Sequence, residues 1–431
     1  MPAGSLLTKN ADDMFKKALL DNGIRVVTEE LPHVRSVSLG VWVNVGSRDE
    51  GPGENGVSHF IEHMLFKGTE RRSAKDIAIQ VDSIGGELNA FTSKELTTYF
   101  VKVLDEHLPM AVDLLSDIFF NSVMDPKEID RERRVIVEEI KMVEDTPDDL
   151  VHELFYETVW RGNALGQPIL GTKPTVTGIQ RKDLNKYMDR HYLPSSIVIS
   201  AAGKFKMETL LELLNKKFGQ HNRKGSVSDD RKVSFKPTVK VKKRKLEQTH
   251  ICMGTKGYPY SHDDRFGLYA LNTLIGSSMS SRLFQEVREK RGLAYSVYSY
   301  LTSLRDTGLF VIYAGVSPSK ASSVVKLIAR EMKKIKKDGV SDDELKKVKE
   351  QMKGNLVLGL ENTSNRMSQL AKQEIYLGRY FTLDELLAQV DAVDQAQMTR
   401  IIRGVFEDGR FALTALGPVE KEDLEDAISG L

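Results

Sequence analysis

Five residues, His59-Phe60-Ile61-Glu62-His63, constrain this 431-residue chain more than any other stretch. On a helix, residues four apart lie one above the other, so His59 and His63 share a face and can hold one ion between them. Glu62 falls beside them. Apolar residues fill the gaps from Gly56 to Thr69 and Gly68 stands in C-cap position, which predicts a short, largely buried helix. Two imidazoles and a carboxylate on a buried face are costly unless partnered. A zinc ion with its water is a partner that suits them. With 9 histidines in the chain, the pattern arises by accident in about one such chain in a hundred.

A catalytic zinc takes three protein ligands and keeps one position open. The third ligand is sought in Asp130-Arg131-Glu132-Arg133-Arg134-Val135-Ile136-Val137-Glu138-Glu139-Ile140-Lys141-Met142. Asp125-Pro126 opens a helix here, proline being suited to a first turn. Glu132 and Glu139 are seven apart and share nearly one face, with Val135 and Ile136 between them. Glu138 is rotated by about 100° toward Arg131, Arg134 and Lys141, where it meets solvent. The geometry selects Glu139 as ligand and puts Glu132 behind it as a supporting carboxylate.

In the common zinc-protease helix the order is His-Glu-x-x-His; here it is inverted, His-x-x-Glu-His. HFIEHMLFKGT, followed by the glutamate of ERRVIVEEI, resembles the pitrilysin/insulinase family of zinc peptidases. The likeness is to the branch that holds the mitochondrial processing peptidase and its small bacterial relatives, and it runs from about Phe15 to the C-terminus. It implies His59, His63 and Glu139 as ligands of one Zn2+ per chain, Glu62 as general base and Glu132 as a supporting catalytic carboxylate. Gly85-Gly86-Glu87-Leu88-Asn89-Ala90-Phe91-Thr92-Ser93 resembles the family strand whose backbone pairs with an extended substrate, here through Asn89, Ala90 and Phe91. Arg288 and Tyr295, within the run 281–295, match the family's arginine and tyrosine that bind substrate and help hold the scissile carbonyl. The family's bacterial members commonly carry a glycine run before Met-Ser-Ser-Arg-Leu; this chain has Gly276-Ser277-Ser278-Met279 instead.

The chain is long enough for two domains. Strand-like segments at 22–28 and 36–43, the second alternating like a half-exposed sheet, precede the zinc helix. Strands at 88–91 and 97–104, a helix near 108–120 and the glutamate helix follow. From about Thr249 the order repeats: a strand with Cys252, a helix from Phe266, a helix over 281–290, strands at 295–301 and 308–314, and a helix over 320–337. The second half lacks the histidine motif. The expected organisation is an N-terminal extension (1–14), a zinc-bearing catalytic domain (15–219), a linker (220–248) and a homologous second domain (249–431) carrying Arg288 and Tyr295. The basic run from Lys240 to Lys245 reads as a solvated sheet edge. By the resemblance these are α+β units, each a sheet with helices, forming half of a pitrilysin-type clamshell. One pair of domains per chain then implies a homodimer, or a heterodimer with a related subunit, closing around peptide substrates.

Lys+Arg of 62 against Asp+Glu of 61 gives a net charge of +1, no case for nucleic acid or an anionic membrane. No stretch reaches the ~18 apolar residues of a membrane span. Residues 1–13 lack both a signal-peptide core and a presequence character, so the reading is cytoplasmic. Lone Cys252 excludes an intramolecular disulfide and reads as a small buried hydrophobe. The function expected is that of a zinc metalloendopeptidase acting on extended or unfolded peptides. Two alternatives are a non-catalytic scaffolding relative and a purely structural zinc, although a structural site has no use for the non-ligand Glu62.

Overall fold

Seven strands build the first of two sheets in the computed structural model, which describes residues 6–9, 14–223, 225 and 232–429. They are β1 (Leu6–Lys9), β2 (Phe15–Leu19), β3 (Arg25–Glu30), β4 (Ser36–Val43), β5 (Glu87–Thr92), β6 (Thr97–Leu104) and β7 (Ile197–Gly203), in the order β1-β2-β3-β7-β4-β6-β5. The second sheet holds β8 (Val239–Lys242), β9 (Thr249–Gly257), β10 (Ala294–Ser303), β11 (Gly308–Val316) and β12 (Ala412–Leu416), in the order β10-β11-β9-β12-β8. Each sheet has one parallel pair, β3 with β7 and β8 with β12. The run β3-β7-β4-β6-β5 therefore has the topology of β8-β12-β9-β11-β10, down to the place of the parallel pair. The chain is α+β with two homologous sheet-and-helix domains. The extension expected over 1–14 and the linker over 220–248 lie partly outside the described residues.

By packing, the chain divides into a unit of Met1–Lys141, Gln167–Asp230 and Leu358–Tyr380, and a unit of Met142–Gly166, Arg231–Val357 and Phe381–Leu431. In each unit a helix from elsewhere in the sequence covers one face of the sheet. Helix Thr363–Leu377 does so in the first, packing on β7, β4 and β3, and helix Pro147–Val159 in the second, on β12 and β9.

This arrangement corrects one expectation. The alternation in 36–43 predicts a strand with one wet face, yet β4 is buried almost throughout. Val37, Leu39, Val41 and Val43 enter the main core, while Trp42 joins Met367, Leu370 and Ala371 on the opposite face. The small polar residues of the alternation are satisfied inside: Ser38 Oγ lies 2.8 Å from Thr363 Oγ1 and 3.1 Å from Ser364 Oγ. Gly40 lies under the covering helix, where a Cβ would come within 2.8 Å of Met367 Sδ.

The main core of the first unit fixes which way the histidine motif faces. In helix Val57–Leu65, residues Val57, Phe60, Ile61, Met64 and Leu65 are buried in it together with Leu115, Phe119 and Leu184. Burying an apolar side chain of that size stabilises by about 1.5–3 kcal/mol. That stripe leaves His59, Glu62 and His63 on the other side. The long helix Pro126–Asp145 anchors on the same core through Ile129, Ile136 and Ile140. In the second unit, the segment expected as an ordinary helix over 281–290 is π-helical across Phe284–Glu289 and stops before Gly292, whose φ is +58°. Single π turns widen a helix and re-aim its side chains, here including Arg288. No described helix is long and apolar enough to cross a membrane.

Candidate metal centre

His59, His63 and Glu139 converge in space. Glu139 Oε2 lies 3.7 Å from His59 Nε2 and 3.6 Å from His63 Nε2. The two imidazole rings are 4.6 Å apart at 69°. None of these donors is close enough to the carboxylate for a hydrogen bond. Three ligands bound at 2.0–2.2 Å around a tetrahedral zinc sit about 3.4 Å from one another, so the spacing suits an ion at the centre. Among the described residues this is the one His/Cys/Asp/Glu group close enough to hold a metal. Burial, helped by the charge of His63, pushes the His59 pKa down to about 3, so the ring is neutral as a ligand must be. Its Nδ1 is buried without a hydrogen-bond partner, and Nε2 is the atom that faces Glu139.

Glu132 and Glu138 face different ways. Glu132 is 3% exposed, and its Oε2 lies 3.0 Å from His63 Nδ1, which leaves His63 Nε2 facing Glu139. Lys67 Nζ lies 2.8 Å from the other oxygen, forming a chain from ligand to carboxylate to ammonium. A carboxylate behind a ligating histidine sets its tautomer and raises its basicity. Glu138 points to solvent and pairs with Lys141 at 2.7 Å.

Glu62 is outside the donor triangle. Its Oε2 accepts a 2.6 Å hydrogen bond from Thr92 Oγ1, at the end of β5. Burial pushes its pKa up and Glu139 adds to the rise, while Thr92 and His63 oppose it. A carboxylate whose pKa is raised in this way holds a proton more readily than an ordinary one, which suits a group that takes a proton and gives it back.

Asn89, Ala90 and Phe91 lie on β5, the outer strand of its sheet. Asn89 Oδ1 accepts the Ala90 N–H at 2.8 Å, and Phe91 stands edge-on to Trp42 with ring centroids 5.7 Å apart. Arg288 and Tyr295 belong to the second unit, where the guanidinium sits 5.2 Å from the Tyr295 ring centroid and 4.7 Å from that of Phe284. Tyr295 is 80% exposed.

Three residues that support the site are not singled out by sequence reasoning: Lys67, Thr92 and Glu50. Lys67 follows His63 by one helical turn and carries a spacing signal. Glu50 carries none: it stands outside the helix it serves, yet is 4% exposed and accepts hydrogen bonds from the N–H groups of Gly56 and Ser58, each at 2.9 Å. Burial pushes its pKa up to about 7, opposed by these bonds.

Compared with known proteins, residues 25–173 match the family described as Insulinase (Peptidase family M16), and residues 178–352 match the Peptidase M16 inactive domain. The chain is 44% identical over 405 residues to the uncharacterized zinc protease YmxG of Bacillus subtilis, covering 94% of this chain and 98% of that one. An uncharacterized zinc protease of Streptomyces coelicolor is 40% identical over 428 residues, covering 96% and 92%. A solved structure of a protease from Helicobacter pylori is similar at a TM-score of 0.89 and 25% identity, covering 94% and 99%. A peptidase M16 inactive domain from Pseudomonas fluorescens, at 17% identity and a TM-score of 0.88 over 94% and 98%, shares the fold.

Proposed function

The chain belongs to the insulinase family of peptidases, M16, and on that premise we propose that it is a zinc-dependent endopeptidase acting on extended or unfolded peptides. The observation that carries the reading is the convergence of His59 Nε2, His63 Nε2 and Glu139 Oε2 beside a carboxylate, Glu62, that is not part of the triangle. Zinc, when bound, supplies the Lewis acid that polarises the scissile carbonyl and acidifies the attacking water. Glu62 takes the proton of that water and returns it to the leaving amine. Thr92 holds the Glu62 carboxylate in place, and Glu132, itself paired with Lys67, holds the His63 ring. The outer edge of β5 at Asn89–Phe91 receives the substrate backbone as an added strand, for which the Ala90 N–H must exchange Asn89 for the peptide.

The test is a peptide-library digest by the purified protein with and without chelator. Cleavage that chelator abolishes is expected. Intact peptides after incubation with the zinc-loaded chain would favour the scaffolding reading.

Arg288 and Tyr295 complete the reading if the working unit is a dimer, with the metal centre of one chain facing the Arg288 and Tyr295 of another. The exposure of Tyr295, with a guanidinium at its face, supports a partner outside its own unit. Inactive Glu62→Gln and Arg288→Ala chains should then rescue one another when co-assembled. Random mixing makes half the dimers mixed, each with one good site of two, so recovery of up to about a quarter of wild-type activity is expected. Mixed dimers verified by mass that stay inactive would contradict the shared site.

A further inference from the structure

The buried carboxylate of Glu50 grips the histidine helix from outside its N-terminus. Gly56, at the N-cap, has φ +94° and no side chain with which to satisfy the first-turn donors. Glu50 does so in its place. One oxygen accepts the Ser58 N–H at 2.9 Å; the other accepts the Gly56 N–H at 2.9 Å and the Asn55 side-chain amide at 3.1 Å. Among the described residues no cation pairs with Glu50, so hydrogen-bond donors alone balance its buried charge. Ser58 is the residue immediately before His59, and its hydroxyl is held in turn by Tyr187 at 3.0 Å.

The loop that ends in Glu50 also grips the hairpin on the other side of the centre. The N–H groups of Ser47 and Arg48 donate to the carbonyls of Ser93 and Lys94 at 3.1 and 2.7 Å. The Arg48 guanidinium pairs with Glu95 at 2.7 Å, both side chains 1% exposed. A Cβ on Gly46 would come within 2.4 Å of the Ser93 carbonyl, so the approach needs glycine. Ser93 follows Thr92, the residue that holds Glu62. One loop therefore binds both the helix carrying His59, Glu62 and His63 and the hairpin carrying the hydroxyl that aims Glu62.

We propose that Glu50 is a positioning residue of the metal centre, fixing the histidine helix against the Thr92 hairpin so that His59 and Glu62 keep their places around the ion. The proposal rests on the zinc-peptidase reading above. Misplacement of such groups by about 1 Å is enough to slow chemistry 10²-fold.

Glu50→Gln keeps the shape but places an amide NH2, which cannot accept, against N–H donors. In the full-length protein this variant should bind zinc about 10–100-fold more weakly in chelator competition. Its cobalt-substituted form should show a visible spectrum changed in position or intensity, and kcat should fall at least about tenfold with KM little changed. A lower melting temperature with zinc affinity and cobalt spectrum like the wild type would make Glu50 a helix cap only and overturn the proposal. Should Glu50→Gln fail to fold, Asn55→Ala removes one of the three Glu50 donors and should still weaken zinc binding several-fold; unchanged binding there overturns the proposal too. A wild-type chain that takes up neither metal would overturn the metal centre and this proposal with it, whereas normal uptake by both wild type and Glu50→Gln overturns this proposal alone.

Discussion

Glu62→Gln should leave the zinc content of the protein unchanged and lower peptide cleavage by about 10²–10⁴-fold. The two halves of that result have separate physical sources. Zinc is retained because the three converging donors belong to His59, His63 and Glu139, and the amide adds and removes none of them. Cleavage is lost because an amide cannot take a proton from water, however well Thr92 holds it. Zinc content by elemental analysis and initial rates on a fluorogenic peptide check both halves on one preparation. Near-wild-type cleavage by a zinc-loaded variant would remove Glu62 as the base, and loss of zinc would mean that Glu62 is a ligand.

The second large effect is expected from adjacent residues of opposite fate. Glu139→Gln replaces the anionic ligand with a neutral one and should weaken zinc binding by more than the 10–100-fold typical of outer partners. Cleavage should fall with it. Glu138→Gln breaks only a surface pair with Lys141, of the kind that contributes about 0–1 kcal/mol, and should keep both metal and activity. Equilibrium dialysis against buffered zinc separates the two variants. Equal losses in both would contradict the assignment of the inward helix face to Glu139.

Both variants probe features that are legible in the amino-acid sequence. The histidine motif on one helix, and the seven-residue spacing of Glu132 and Glu139 with the outward turn of Glu138 on another, are each short-range properties of their own helix, and periodicity reports them directly. The repeated order of elements likewise carries through to two sheets of one topology. What is not legible lies outside the periodicity of a single element. β4 looks half-wet because Ser36, Ser38 and Gly40 alternate with valine and leucine. Nothing local says that Thr363 and Ser364 will meet Ser38, or that Met367 will sit over Gly40. The π-helical turn at Phe284–Glu289 has the composition of an ordinary charged helix. Glu50 looks like a surface loop acid, and only the folded loop brings it to Gly56 and Ser58.

Peptide cleavage by this chain is expected to depend on one zinc held by His59, His63 and Glu139. The most direct measurement strips the wild-type protein with chelator, returns zinc in substoichiometric steps, and follows cleavage of one peptide at each step. Activity absent from the stripped protein, rising in proportion to added zinc and levelling at about one zinc per chain, is the predicted result. Cleavage that survives complete removal of metal, or a fully zinc-loaded chain that cuts no peptide, would contradict it.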